Sequence, residues 1–309
     1  MSFSYEELAE IRHYIHQHPE LSGQEYQTTA FLKERLEELG IRILESGLKT
    51  GLIAEIGSGQ PVVALRADID ALPILEQTNL PYQSQNPGVM HACGHDFHQT
   101  SLLGAAALLK EKEDQLEGTV RLIFQPAEEI SEGASDVLAT GLLEDVQGII
   151  GFHNIPQLKA GQLALNAGAM MAGVEKFKVT VTGVSSHAAR PDLGVDTVTA
   201  VTTMVQNVQL LISRTVSPFE TAVLSITHLD VGSTWNVLPK SGYFEGTIRS
   251  FNPSVQRDLK AHFISIIRHI AESLEVDVAF EWGVTPPVTF NDEEFDAGGL
   301  GKLHKVWLK

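Results

Sequence analysis

The sequence predicts an α/β chain in two parts: a mixed, largely parallel sheet flanked by helices, and a compact β-α-β-β-α-β unit inserted after it. Three observations carry this. Helical stretches separate several of the strands in the first half. The hydrophobic texture changes near Gly168. Beyond that point strand and helix patterns alternate in a second, self-contained order. The length of 309 residues suits two domains.

Ser4-x-x-Glu7 forms a capping box, followed by Leu8, Ile11 and Ile15 at helical spacing. A second helix carries Phe31, Leu32, Leu36 and Leu39 and stops at Gly40. Ile41 and Ile43 alternate, and Gly51 to Ile56 and Pro61 to Ala67 are predicted strands. A helix near Gln99 to Lys112, a strand at Thr119 to Gln125, a helix near Ser131 to Thr140 and a strand at Gly148 to Phe152 follow. In the second part, Phe177, Val179 and Val181 alternate, and Val198, Val201, Val205, Val208 and Ile212 make a helical stripe. Strands at Thr221 to Leu229 and Gly242 to Phe251, a helix from Val255 to Leu274 and a strand at Val276 to Trp282 complete a ferredoxin-like order. Thr285-Pro286-Pro287-Val288 then leads back toward the first part.

Hydrophobic residues make up 43% of the chain, enough for a real core. The net charge of −17 repels phosphate backbones and argues against nucleic acid. The longest apolar stretch, Leu102 to Leu109, is far short of the roughly 20 residues that span a bilayer, so no membrane partner is expected. No signal peptide is visible at the N-terminus. Cys93 is the single cysteine, which fits a reducing, cytoplasmic compartment.

In open α/β sheets ligands sit beyond the carboxyl ends of the strands. There the sequence places Asp68-Ile69-Asp70, Pro126-Ala127-Glu128-Glu129 and His153, with His91-Ala92-Cys93-Gly94-His95-Asp96-Phe97-His98 just before a helix. Thiolate, imidazole and carboxylate together suit zinc or a similar transition metal. Gly94 lets the backbone bend so that Cys93 and His95 face one site. Glu128 and Glu129 are adjacent like charges, relieved by a cation or a shared proton, so one can bind metal while the other moves protons. Taken singly, each has a plainer reading: Cys93 as core filler, the aspartates as turn caps, the glutamates as a solvated helix start. Their joint placement favours a metal site. No nucleophile elbow, P-loop or dinucleotide fingerprint is present; Cys93 as a thiol nucleophile with His95 or His98 remains open.

Asp68-Ile69-Asp70-Ala71-Leu72-Pro73, His91-Ala92-Cys93-Gly94-His95-Asp96, Pro126-Ala127-Glu128-Glu129 and His16-x-His18-Pro19-Glu20-Leu21-Ser22 occur in order. Together they resemble the two-metal amidohydrolases of the aminoacylase and carboxypeptidase family. The Cys-Gly-His form resembles the subgroup of hippurate hydrolases, indole-acetyl-amino-acid hydrolases and bacterial N-acyl-amino-acid deacylases. The resemblance implies a zinc-peptidase-like catalytic domain at 1–170, an inserted lid and dimerisation domain at 171–283, and a return to the catalytic domain at 284–309. It implies that Cys93, His95, Glu129 and His153 ligate metal, that Glu128 is general base and acid, and that Asp70 holds a ligating imidazole by its other nitrogen. His98 matches the motif but receives no role. From the lid, His187 would help hold the oxyanion in a neighbouring active site, Asn236 would touch substrate, and Arg249 would clamp its carboxylate. The implied cofactors are two divalent ions, zinc, manganese, cobalt or nickel. The implied substrate is a small N-acyl amino acid, and the implied assembly is a homodimer through the lid.

One part departs from the family pattern. The family's returning segment carries a Gly-Gly-Glu-Asp-Phe-like stretch and a late histidine for the second metal. Asp296 to Lys309 does not match it, and His304 follows the lid too soon. The expectation is a shortened catalytic domain, with a core face exposed and one metal position short of a ligand. Three readings follow: a metal-dependent N-acyl-amino-acid amidohydrolase, a catalytically impaired homologue serving as a dimerising or binding module, and a hydrolase using Cys93 as nucleophile.

Overall fold

A computed structural model describes residues 3–283 and 286–292. Its contacts divide the chain between Leu163 and Ala164. Residues 293–309, His304 among them, lie outside the described residues.

In the first unit, α1 (Tyr5–Gln17) starts from the expected capping box, with Ser4 Oγ accepting from Glu7 N at 3.1 Å and Glu7 Oε2 from Ser4 N at 2.7 Å. After α2 (Tyr26–Glu38) come β1 (Arg42–Leu44), β2 (Leu52–Ser58) and β3 (Val62–Asp68). Then follow α3 (His95–Glu111), β4 (Gly118–Gln125), α4 (Gly133–Ala139) and β5 (Val146–Gly151). They form one five-stranded sheet in the order β1-β2-β4-β3-β5. Leu32, Leu36, Ile56, Leu103, Leu122 and Phe124 are fully buried between the helices and this sheet.

The sheet is mixed. β3 pairs in parallel with β4 and with β5, while β1–β2 and β2–β4 are antiparallel. A mixed sheet is what the sequence predicts, and the described pairings are two of each kind, so it is less parallel than expected. The connection from β2 to β3 is too short for a parallel crossover, which needs a dozen or so residues, so β2 runs against β3 and β4 fits between them. Register then positions the site. Asp68 lies opposite Gln125, and Arg66 opposite Gly151. Three parallel strands therefore release Asp68–Asp70, Pro126–Glu129 and Phe152–His153 at one edge. β5 closes the described sheet on its far side and leaves Ile149 half exposed.

The second unit contains β6 (Gly168–Met171), β7 (Gly173–Thr182), β8 (Ser186–His187), α5 (Thr197–Thr215), β9 (Ala222–Val231) and β10 (Val237–Leu238). It continues with β11 (Ser241–Ser250), α6 (Pro253–Ser273), β12 (Asp277–Trp282) and β13 (Thr289–Asn291). Its main sheet is antiparallel in the order β12-β7-β11-β9, the strand order of the ferredoxin-like motif. Asp196 and Asn252 cap α5 and α6, and the two helices bury Val201, Met204, Phe263 and Ile267 against Phe177 and Phe244. Two short ladders, β8–β10 and β6–β13, were not expected from the sequence. Among the described residues no helix is long and apolar enough to cross a membrane.

Candidate metal centre

The end of β3 builds the first part of the site. Asp70 is buried, and its carboxylate accepts from Ser22 Oγ at 2.7 Å and from the Glu129 amide at 3.0 Å. His95, the first residue of α3, directs Nδ1 at the Asp70 carbonyl (2.9 Å) and carboxylate (3.2 Å). Its Nε2 therefore faces away, 3.5 Å from Asp68 Oδ2, 3.8 Å from Glu129 Oε1 and 4.0 Å from Glu128 Oε2. Both His95 Nε2 and Glu129 Oε1 are buried with no hydrogen-bond partner among the described residues. Two orphaned donor atoms aimed at one point are what a cation site provides.

Cys93 and His153 complete the cluster from two other segments, with Sγ and Nε2 3.3 Å apart. Cys93 Sγ, His95 and His153 form one group whose ligand atoms lie within 4.8 Å of one another, and His95, Glu128 and Glu129 form a second. All four expected ligands and Glu128 thus share one location, joined at His95, with Asp70 on its Nδ1.

The sequence left His98 without a role. Its Nδ1 meets Asp68 Oδ1 at 2.5 Å, and its Nε2 meets Asn154 at the side-chain oxygen (2.6 Å) and the backbone nitrogen (3.0 Å). Arg66 secures Asp68 at 2.8 Å. The Asn154 carbonyl in turn accepts from His153 Nδ1 at 2.9 Å, which turns Nε2 toward Cys93. His98 thus steadies the residue that orients a candidate ligand. The available signal was the His95-x-x-His98 spacing, which puts both rings on one helix face.

Gly94 is required where it stands. Its φ is +94°, and a Cβ there would lie 2.4 Å from Asn154 Oδ1. Gly94→Ala is expected to displace Asn154 and to weaken cobalt binding roughly 10–100-fold, as changes to groups supporting a metal ligand do. A visible-absorption titration with cobalt checks this.

The electrostatics fit a cation. Burial opposes a charged His95, yet the Asp70 hydrogen bond, Cys93 and the Asp68 charge raise its pKa to about 11. His153 rises to about 9, chiefly through its bond to Cys93. The same bond, with the nearby His95, lowers the Cys93 thiol. Glu128 is raised by burial and by the Asp68 and Glu129 charges. The site favours positive charge, and the Glu128 carboxyl group is shifted toward holding a proton.

Residues 64–299 match Peptidase family M20/M25/M40. The chain belongs to that family. It is 44% identical over 305 residues to an N-acetyl-L-cysteine deacetylase of Bacillus subtilis, covering 98% of this chain and 73% of that protein. It is 35% identical over 292 residues to a hippurate hydrolase of Campylobacter jejuni, covering 93% and 76%. The crystal structure of a dinuclear metal binding peptidase of the M20 family from Bacillus subtilis superposes with a TM-score of 0.83 at 40% identity, covering 97% and 79%.

The remaining predicted residues of this M20 chain lie in the second unit. His187 and Asn236 sit close together, because β8 pairs with β10 through His187 opposite Val237 and Ala188 N donates to Asn236 O at 3.0 Å. The Ala189 amide donates to His187 Nδ1 at 3.1 Å, so neutral His187 carries its proton on Nε2. Arg249 is not with them. It lies near the far end of β11, eight residues from Ser241, or roughly 27 Å along an antiparallel strand.

Proposed function

We propose that this chain hydrolyses the amide bond of small N-acyl amino acids to a carboxylic acid and a free amino acid, using two divalent ions held by Cys93, His95, Glu129 and His153. The carrying observation is the convergence of these four side chains beside a half-buried glutamate. The relatives named for deacetylation and hippurate hydrolysis support the substrate class. The dinuclear M20 peptidase supports the ion count. A thiolate beside imidazole and carboxylate suits zinc, and manganese, cobalt or nickel suit the same mixed set.

When bound, the ions supply Lewis acidity and a source of hydroxide at neutral pH. The chain's own residues do the rest. Glu128 takes a proton from the attacking water and delivers it to the leaving nitrogen, which departs as an amine rather than as a strongly basic anion. His187 Nε2–H stabilises the oxyanion, Asn236 contacts substrate, and Arg249 pairs with its carboxylate. Assays with N-acetyl and N-benzoyl amino acids, run with and without supplied metal, test this reading. Folded, metal-supplied protein that turns over none of them contradicts it and favours a non-catalytic binding module.

The separation of His187 from Arg249 argues for a homodimer through the second unit. Arg249 lies roughly 27 Å along β11 from Ser241, the end of the strand that adjoins the His187 segment through the Gly183–Lys240 hydrogen bond, and we infer that the two residues act together when they come from different copies. β9, an edge strand of the described sheet, offers a ten-residue pairing surface. Mixing inactive His187→Ala and Arg249→Ala proteins is expected to restore activity, since the mixed dimer keeps one intact site. A monomer by light scattering, or no recovery on mixing, contradicts it. The free thiol at Cys93 fits the cytoplasm, where thiols stay reduced.

A further inference from the structure

The segment just before α2 holds a buried acid that the chemistry above does not use. Glu25 is fully buried. Its carboxylate accepts from the Ala127 amide at 2.8 Å and from Thr50 Oγ1 at 2.7 Å. Ala127 immediately precedes Glu128 and Glu129, and its φ of +49° lies in the left-handed region that a residue with a Cβ rarely enters. This conformation turns the chain sharply as it leaves β4. The Ala127 carbonyl accepts from the amides of Glu132 and Gly133, at 3.2 and 3.1 Å, closing the turn. A Cβ on Gly133 would lie 1.6 Å from the Pro126 carbonyl oxygen, so the turn is packed without slack.

A buried amide at a strained residue needs an acceptor that does not give way. The Glu25 side chain has the length to carry an acceptor oxygen to within 2.8 Å of the Ala127 nitrogen. Burying a carboxylate is costly, which argues against an incidental placement. The same stretch also braces the neighbouring loop: Glu20 O accepts from Ala71 N at 2.8 Å, and Ser22 Oγ holds Asp70 at 2.7 Å.

We infer that Glu25 is a positioning residue that fixes the direction of Glu128 and Glu129 by holding the Ala127 amide. The inference rests on the reading of those glutamates as proton carrier and metal ligand. Glu25→Asp keeps the charge but is one methylene too short to reach Ala127. Glu25→Gln keeps the reach and loses the charge. Each is made in the full chain, alone and with Ala127→Gly, and read by cobalt titration, by kcat and KM separately, and by melting temperature. Glu25→Asp is expected to weaken cobalt binding roughly tenfold or more and to lower kcat with KM little changed. Glu25→Gln is expected to stay close to the parent. Adding Ala127→Gly to Glu25→Asp is expected to recover part of both losses, because glycine adopts positive φ freely. If Glu25→Asp melts lower but matches the parent in cobalt affinity and kcat, Glu25 is only a buried structural acid and the inference is overturned. The same holds if glutamine is the worse substitution, since charge rather than reach would then matter. A parent chain that binds no cobalt overturns the metal reading itself, an outcome distinct from either.

Discussion

Glu128→Gln is expected to lower kcat for N-acyl amino acid hydrolysis by roughly 10²–10⁴-fold, the contribution of a general acid–base group, with KM, metal content and melting temperature nearly unchanged. Glutamine matches glutamate in shape but neither takes nor gives a proton at neutral pH. The Glu128 side chain is 41% exposed, against 18% for Glu129, and its carboxylate stands 4.0 Å from His95 Nε2, at the outer limit of an ion pair. It is also the group whose pKa is pushed above the ordinary carboxylate range, first by burial and then by the Asp68 and Glu129 charges, which suits a proton carrier near pH 7. Steady-state kinetics with metal analysis checks it. A variant that keeps most of its kcat would move the base elsewhere. A variant that loses metal would make Glu128 a ligand.

Removing metal is expected to abolish turnover altogether and to destabilise the first unit. Without a cation, His95 Nε2 and Glu129 Oε1 have no hydrogen-bond partner among the described residues, and Asp68, Asp70, Glu128 and Glu129 crowd one sheet edge. A bound ion stabilises the folded state by mass action, by about 2.7 kcal/mol at a hundredfold excess over its Kd. Chelated protein should therefore melt lower and regain both stability and activity with zinc, manganese, cobalt or nickel. Activity that survives chelation but is blocked by a thiol reagent would instead favour Cys93 as nucleophile, for which the 3.3 Å approach of His153 supplies the partner base.

The convergence of the candidate residues was legible because they sit at strand ends, where short polar motifs mark a turn. Cys93, His95, Glu128 and Glu129 stand in such motifs, and His153 directly follows a predicted strand. The start of α3 was not legible. The helix was read from Gln99 onward because His95-Asp96-Phe97-His98 carries no apolar stripe. In the fold, His95, Asp96, His98 and Gln99 are buried polar groups, so hydrophobic periodicity is silent there. The place of β4 between β2 and β3 was equally invisible, since periodicity identifies strands but not their pairing. The two-residue ladder of β8 and β10, which joins His187 to the Asn236 segment, is too short to leave a pattern. Glu25 could not have been linked to Ala127 at all, because a contact across 102 positions leaves no local trace.

The central claim is that Cys93, His95, Glu129 and His153 surround metal. An anomalous difference map from crystals grown with zinc or manganese tests it most directly. The account predicts peaks about 2.0–2.3 Å from Cys93 Sγ, His95 Nε2, a Glu129 oxygen and His153 Nε2, with Asp70 on the far nitrogen of His95. A map with no peak at this edge, or with these four side chains turned away from the bound ion, would contradict it.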